Sequence, residues 1–362
     1  NYLLDPAVAT AARTHTAAMK LDVTVLRYLQ RDELRVLAAI EQLMRNHELV
    51  PTEMIARIAK LKRGGCHRAL NEVHKHKLVY HEAKHYDGYR LTYLGYDFLA
   101  IKALSNQGVV AAVGNQIGCG KESDIYVAVD ADGEHVCMKL HRLGRTSFRT
   151  VRNKRDYLKH RRHASWMYMS RLAALKEYAF MAALYDEGFP CPRPLRVNRH
   201  VVVMELAASS YPLAQVRRVA EPERLYARLM QLLLELAAFG LIHCDYNEFN
   251  VLVDGHGTVT VIDFPQTVSI THENAAFYFD RDVQCVVTFF RRRLGFEPDD
   301  WPRFDRDVRR DAAAKRLDVV AEASGFKRHH EQQLASFVAA ERRAEQVDAA
   351  DGGSSDDDDD GD

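Results

Sequence analysis

Leu241-Ile-His-Cys-Asp-Tyr-Asn-Glu-Phe-Asn-Val-Leu-Val253, followed a short hairpin later by Val261-Ile-Asp-Phe-Pro-Gln266, is the stretch on which the reading of this chain turns. The first run sets His243, Asp245 and Asn250 in the order His-x-Asp-x-x-x-x-Asn. The second places a carboxylate, Asp263, at the end of an apolar strand. Transfer of a phosphoryl group needs one carboxylate near the attacking oxygen, plus an amide and a second carboxylate to hold a divalent cation against phosphates. Asp245, Asn250 and Asp263 are the candidates for those three places, with Asp245 and Asp263 the candidate catalytic pair.

Working back from this stretch, the chain supplies the other parts of a protein-kinase arrangement in order. Gly118, Gly120 and Lys121 form a turn between two apolar strands, with Ser123 just after it, so backbone and hydroxyl donors can face phosphate oxygens. The turn is neither Gly-x-Gly-x-x-Gly nor a Walker loop, since no helix opens after Lys121, and an ordinary glycine hairpin has similar letters. The next strand, His135-Val-Cys-Met-Lys-Leu140, carries Lys139 where a kinase keeps the lysine that grips phosphates. A helix is expected over 165–187. Glu177 within it is the natural partner for Lys139, although Glu187 has a similar composition argument. Val201-Val-Val-Met-Glu-Leu206 reads either as a plain core strand or as the hinge between lobes. In the hinge reading, Met204 lines the base pocket and backbone groups from Glu205 to Ala207 meet adenine. A helix over 221–239, with Leu225, Leu229, Leu232, Leu233 and Leu236 on one side, is expected to pack under the catalytic loop. Beyond Asp263 another helix is expected over 285–294, and Asp282 either anchors the catalytic loop from below or caps that helix. No Ala-Pro-Glu motif and no long activation segment separate Asp263 from Asp282, so no shelf for a peptide is evident.

The N-terminal third has a different character. Helical periodicity over 32–44, 52–59 and 64–76 is followed by two short strands, Leu78-Val-Tyr-His81 and Tyr89-Arg-Leu-Thr92, joined through Asp87-Gly88. Three helices and a two-stranded wing make a winged-helix module. Its third helix and following turn carry Arg63, His67, Arg68, Lys75 and Lys77, a basic face suited to nucleic-acid phosphates or, alternatively, the solvated side of a protein-docking module.

Composition sets the outer limits. The 362 residues carry 50 Lys plus Arg and 50 Asp plus Glu, but the balance hides segregation, because 142–164 is basic while Asp356 to Asp360 is a run of acid. The basic segment is expected to be mobile unless an anion orders it, or to serve as a solvated linker; the acidic tail either solvates or shields a basic face in cis. No apolar run reaches the roughly 18 residues a membrane span needs. Cys66, Cys119, Cys137, Cys191, Cys244 and Cys285 contain no Cys-x-x-Cys pair, which points away from a disulfide framework or zinc site and toward a reducing compartment. Residues 1–18 lack the hydrophobicity of a signal peptide and read as an extension ahead of Met19.

Taken together, Gly118-Cys-Gly-Lys-Glu-Ser-Asp-Ile-Tyr126, Lys139-Leu-His-Arg-Leu-Gly-Arg-Thr-Ser-Phe148, Asn247-Glu-Phe-Asn250 and Ile262-Asp-Phe-Pro-Gln266 resemble the RIO family of atypical protein kinases, specifically its second subfamily. The resemblance implies an α+β architecture, a winged helix followed by a bilobal kinase-like domain. Its expected parts are an extension (1–18), the winged helix (19–104), an N-lobe (105–206) containing the basic segment 142–164, a C-lobe (207–302), a helical extension (303–347) and the acidic tail (348–362). It implies ATP and Mg2+, with Mn2+ as an alternative ion. Gly118, Gly120, Lys121 and Ser123 would sit at the triphosphate, Lys139 and Glu177 would be the phosphate-gripping pair, and Asn250 and Asp263 the metal ligands. Asp245 would be the base or water-orienting group. It further implies late cytoplasmic maturation of the small ribosomal subunit, on the pre-40S particle with its rRNA and proteins, no membrane partner, and an option of shuttling through the nucleus. The family usually places Gly before the catalytic aspartate, where this chain has Cys244; its side chain either crowds the loop or points into the core. ATP turnover driving a release step through an aspartyl-phosphate on Asp263 is the expected mechanism, against a serine kinase with a peptide substrate or an ATP-binding RNA-docking scaffold.

Overall fold

The computed structural model describes residues 3–4, 29–83, 86–143 and 161–308, and isolated positions between 316 and 336. Most of the expected extension over 1–18, most of the basic segment, most of 303–347 and the tail over 348–362 lie outside the described residues; within the extension, Leu3–Leu4 pairs antiparallel with Val216–Arg218.

Three helices, Arg31–Leu43, Thr52–Ala59 and Arg63–Lys75, fold around one apolar centre. The third buries Cys66, Ala69, Leu70 and Val73, which recur at three- and four-residue steps, so Arg63, His67, Arg68 and Lys75 are turned to solvent. Strands Val79–Glu82 and Gly88–Leu91 pair antiparallel as the wing, with Tyr80 opposite Arg90.

A fourth helix, Tyr93–Asn106, then begins, where the sequence suggested only the end of the module. Thr92 caps it, its hydroxyl accepting from the Gly95 N–H at 3.1 Å. Gly95 is required there: a Cβ would lie 2.1 Å from the Leu78 carbonyl oxygen, so only glycine lets this linker helix approach the wing. The helix has no polar face, burying Tyr96, Asp97, Phe98, Leu99, Ala100, Ile101 and Leu104, because the winged helix covers one side and the next sheet the other.

That sheet has five antiparallel strands in the order Ala112–Cys119, Ser123–Val129, His135–His141, Val201–Glu205, Pro194–Asn198. The first strand, expected to be apolar, is mostly exposed. Helix Arg161–Asp186 packs on the sheet. It begins inside what the sequence suggested was the mobile basic segment, and Arg142 at the other end of that segment is buried rather than solvated. Arg199, in the turn between the last two strands, donates to Glu41 of the first helix at 2.6 and 2.8 Å and to the Leu99 carbonyl at 3.2 Å, clamping the winged helix to the sheet.

Below the sheet, helix Pro222–Ala238 opens with proline in its first turn and buries Leu225, Leu229, Leu232, Leu233 and Leu236, as their spacing predicts. Strands Val251–Asp254 and Val259–Val261 form a hairpin between the catalytic loop and Asp263. The last long helix runs over Ala275–Phe289 and continues as a π turn, Phe290–Leu294, starting well before the expected 285.

Candidate active site

Strand alternation places Lys139 and His141 on one face of the lysine strand, toward the long helix Arg161–Asp186. Lys139 Nζ lies 2.6 Å from Glu177 Oε1 and 2.8 Å from Asp263 Oδ1, so one ammonium ties the upper helix to the lower turn. Glu187, the other acid considered, lies just beyond the helix end, and the partner of Lys139 is Glu177. His141 Nε2 sits 2.7 Å from the second oxygen of Glu177. Burial alone would raise the Glu177 pKa, but Lys139 and His141 outweigh it and hold the carboxyl well below its ordinary value. Burial likewise opposes the charge on Lys139, and Asp263 with Glu177 overturns it, so the ammonium stays charged.

The catalytic loop is built around Asp245. Asn250 Nδ2 donates to the Asp245 carbonyl at 2.9 Å and to its carboxylate at 3.1 Å; Asn247 Nδ2 donates at 2.8 Å and Gln266 Nε2 at 3.3 Å. Burial, then the nearby Asp263 carboxylate, push the Asp245 pKa up to about 6. Beneath the loop, Asp282 accepts from the backbone N–H groups of Cys244 at 2.8 Å and Tyr246 at 3.3 Å, so it is the loop's anchor rather than a helix cap. Arg281 donates to the Cys244 carbonyl from the same helix. His243 is buried, its Nε2 lies 3.1 Å from the Ile262 carbonyl, and burial holds the ring neutral, its pKa pulled down to about 4.

Cys244 has φ +65°, in the left-handed region. That conformation suits glycine, the residue the resemblance implied for this position. The thiol is buried and points back to the Ile242 carbonyl at 3.5 Å, away from Asp245, so it does not crowd the catalytic carboxylate. Asp263 is left-handed as well, with φ +74°.

Asn250 and Asp263 suit a small hard divalent cation. Both polar hydrogens of the Asn250 amide are turned to Asp245, which leaves Oδ1 as the group available to a metal, and Asp263 adds a partly exposed carboxylate. Mg2+ is commonly held by one or two such oxygens, with phosphates and water completing its shell.

The remaining predicted groups lie on the sheet above the cleft and at the end of its hinge strand. Gly118, Gly120, Lys121 and Ser123 surround the turn between the first two strands, closed by Gly120 N–H to the Ser123 carbonyl at 2.8 Å, and Ser123 is directly opposite His141. Met204 is buried at the end of the hinge strand. The Glu205 N–H is already donated to the Arg193 carbonyl at 2.9 Å, so it is not available to a base. The hinge reading therefore narrows to other backbone groups, Ala207 N–H among them. Arg63, Arg68, Lys75 and Lys77 are not part of this cleft; they are exposed on the winged helix, where Arg63 pairs with Glu53 and Lys75 approaches Glu72 at 3.6 Å. Sequence reasoning missed His141, Asn247 and Gln266. For His141 the two-residue spacing from Lys139 was the available signal; the other two reach Asp245 only through loop geometry.

A RIO domain model matches residues 124–300, and a model described as Rio2, N-terminal matches residues 26–107. The chain is 53% identical over 310 residues to serine/threonine-protein kinase rio2 of Dictyostelium discoideum, covering 86% of this chain and 58% of that protein. It is 48% identical over 312 residues to the rio2 kinase of Schizosaccharomyces pombe, covering 86% of this chain and 90% of that one. It thus spans little more than half of the Dictyostelium relative, and also 58% of the Caenorhabditis elegans RIO2 kinase. Among solved structures, the Rio2 kinase-ADP/Mg2+-phosphoaspartate complex from Chaetomium thermophilum superposes with a TM-score of 0.80 at 45% identity, covering 91% of this chain and 100% of that one.

Proposed function

Because the chain belongs to the RIO kinases, in their Rio2 branch, we propose that it uses ATP and Mg2+ to transfer the γ-phosphoryl group, with Asp263 as the first acceptor. The observation that carries this reading is the position of Lys139, held between Glu177 and Asp263 while Asp245 stands across the cleft with its own amide donors. A metal bound by Asn250 and Asp263 would neutralise phosphate charge. Lys139 fixes the phosphates and is itself fixed by Glu177. In the transfer, an Asp263 carboxylate oxygen forms a bond to the γ-phosphorus as the bond to the bridging oxygen breaks, and ADP leaves. Asp245 then accepts a proton from a water whose oxygen bonds to the phosphorus as the Asp263 oxygen–phosphorus bond breaks, releasing inorganic phosphate and restoring the carboxylate. The phosphoaspartate in the name of the Chaetomium structure supports this choice of acceptor.

The names of the relatives favour a second reading, in which Asp245 instead takes the proton of a serine or threonine hydroxyl on another protein. In either case the site serves a cytoplasmic step on the pre-40S particle, with the exposed basic helix Arg63–Lys75 meeting rRNA; the exposure of Arg63, Arg68, Lys75 and Lys77 supports that placement. Steady-state release of ADP from ATP tests the chemistry. It is expected to require Mg2+ and to fall by about 10²-fold or more in Asp245→Asn, the usual scale for losing a general base. Undiminished turnover in that variant would refute the role of Asp245.

A further inference from the structure

Arg142 follows the lysine strand by one residue and points the opposite way from His141, into the seam between the sheet and the linker helix Tyr93–Asn106. Its side chain is 8% exposed, and it meets two carboxylates that are more buried still. Nη1 and Nη2 reach the two oxygens of Asp97, on the linker helix, at 2.5 and 2.7 Å. Nε reaches Asp124 Oδ2, one residue after Ser123, at 3.1 Å. The Arg142 backbone N–H also donates to the Glu122 carbonyl, inside the glycine turn, at 2.6 Å. The other oxygen of Asp124 accepts from Gln116 Nε2 at 3.1 Å, and the same amide lies 3.2 Å from the Gly118 carbonyl. Both flanks of the turn are therefore traced to one guanidinium, whose other end is fixed outside the cleft. His200, stacked on Tyr96 with ring centroids 4.6 Å apart, completes the seat with a 2.7 Å contact to Asp97.

We propose that Arg142 is a positioning residue for the nucleotide's phosphates, setting the glycine turn against the linker helix. The inference rests on the reading of that turn as the triphosphate cradle. Buried ion pairs are costly to assemble and serve best where they specify one arrangement. Here, a planar fork that meets one carboxylate with two nitrogens and a second with its third leaves the turn little freedom to slide along the sheet. A lysine at this position keeps one charge against Asp97 and loses the reach to Asp124. The turn's order, and with it the grip on phosphates, thus depends on a residue that touches no nucleotide.

The experiment is calorimetric titration of the full chain with ATP in Mg2+ and, separately, with adenosine, on the wild type, Asp124→Asn and Arg142→Lys. Both variants are expected to lose about tenfold in ATP affinity, the scale of one charge-assisted hydrogen bond, and to bind adenosine as the wild type does. Equal losses for the two ligands would make Arg142 a merely structural residue and overturn the inference, as would unchanged ATP affinity. If thermal melting shows either variant unfolded, Gln116→Ala at the exposed end of the same chain of contacts carries the same expectation at about threefold, and an unchanged preference for ATP there overturns it. A wild type that binds ATP no better than adenosine would instead remove the phosphate-cradle reading itself, and this inference with it.

Discussion

Asp245 carries the sharpest conflict between burial and charge in the cleft. Burial and Asp263 push its pKa up to about 6, while the Asn250 and Asn247 amides favour the ionised form. A general base works only when deprotonated, so kcat/KM, which reports the free enzyme, is expected to rise with pH and level off above about 6. A pH profile that is flat from about 5 to 8 would contradict this assignment. One residue earlier, Cys244 holds a left-handed conformation that costs a non-glycine residue about 1–2 kcal/mol. Cys244→Gly removes that strain but loses a buried thiol and frees the unfolded chain, so its stability in urea is expected to stay within about 1 kcal/mol of the wild type, with turnover kept. A drop of several kcal/mol would show that the thiol packing, not the backbone, dominates there.

Elements differ in how openly the sequence announces them. The catalytic loop, the lysine strand and helix Pro222–Ala238 were legible because their constraints are local: fixed motif spacing, alternation and a one-sided apolar stripe. The linker helix Tyr93–Asn106 was not, because it is enclosed on both sides and so has no polar face to give a helical period. Arg142 read as one more charge in a basic run; its burial is explained by partners far off in the sequence, Asp97 45 positions away and Asp124 18 positions away. Helix Ala275–Phe289 begins ahead of the expected 285; Asn274 at its start makes no side-chain cap hydrogen bond and Phe277 in its first turn is exposed, so no regular apolar stripe marks where it opens. The basic helix Arg63–Lys75 buries Cys66, Ala69, Leu70 and Val73 and exposes its lysine and arginines. If that face meets RNA, replacing Arg63, Arg68 and Lys75 by Ala is expected to weaken RNA binding and to flatten its dependence on salt by about 0.7–0.9 logarithmic units for each phosphate no longer neutralised. Equal affinity and an unchanged salt slope, measured by filter binding, would place the RNA elsewhere.

At the scale of the whole molecule, the winged helix, the linker helix, the upper sheet and the Asp263 turn are joined by buried and half-buried ion pairs as well as by apolar packing. Arg199 with Glu41 fastens the winged helix to the sheet, Arg142 with Asp97 fastens the linker helix to it, and Lys139 with Glu177 and Asp263 fastens the sheet to the turn at Asp263. The direct test is a single-turnover reaction with γ-labelled ATP and Mg2+, quenched in acid and divided for hydroxylamine treatment, on the wild type and Asp263→Asn. Label on the protein that hydroxylamine removes, and that is absent from Asp263→Asn, is the expected result, because an acyl phosphate is cleaved by that nucleophile. Label that resists hydroxylamine and persists in Asp263→Asn would contradict the account and assign the phosphoryl group to a serine or threonine instead.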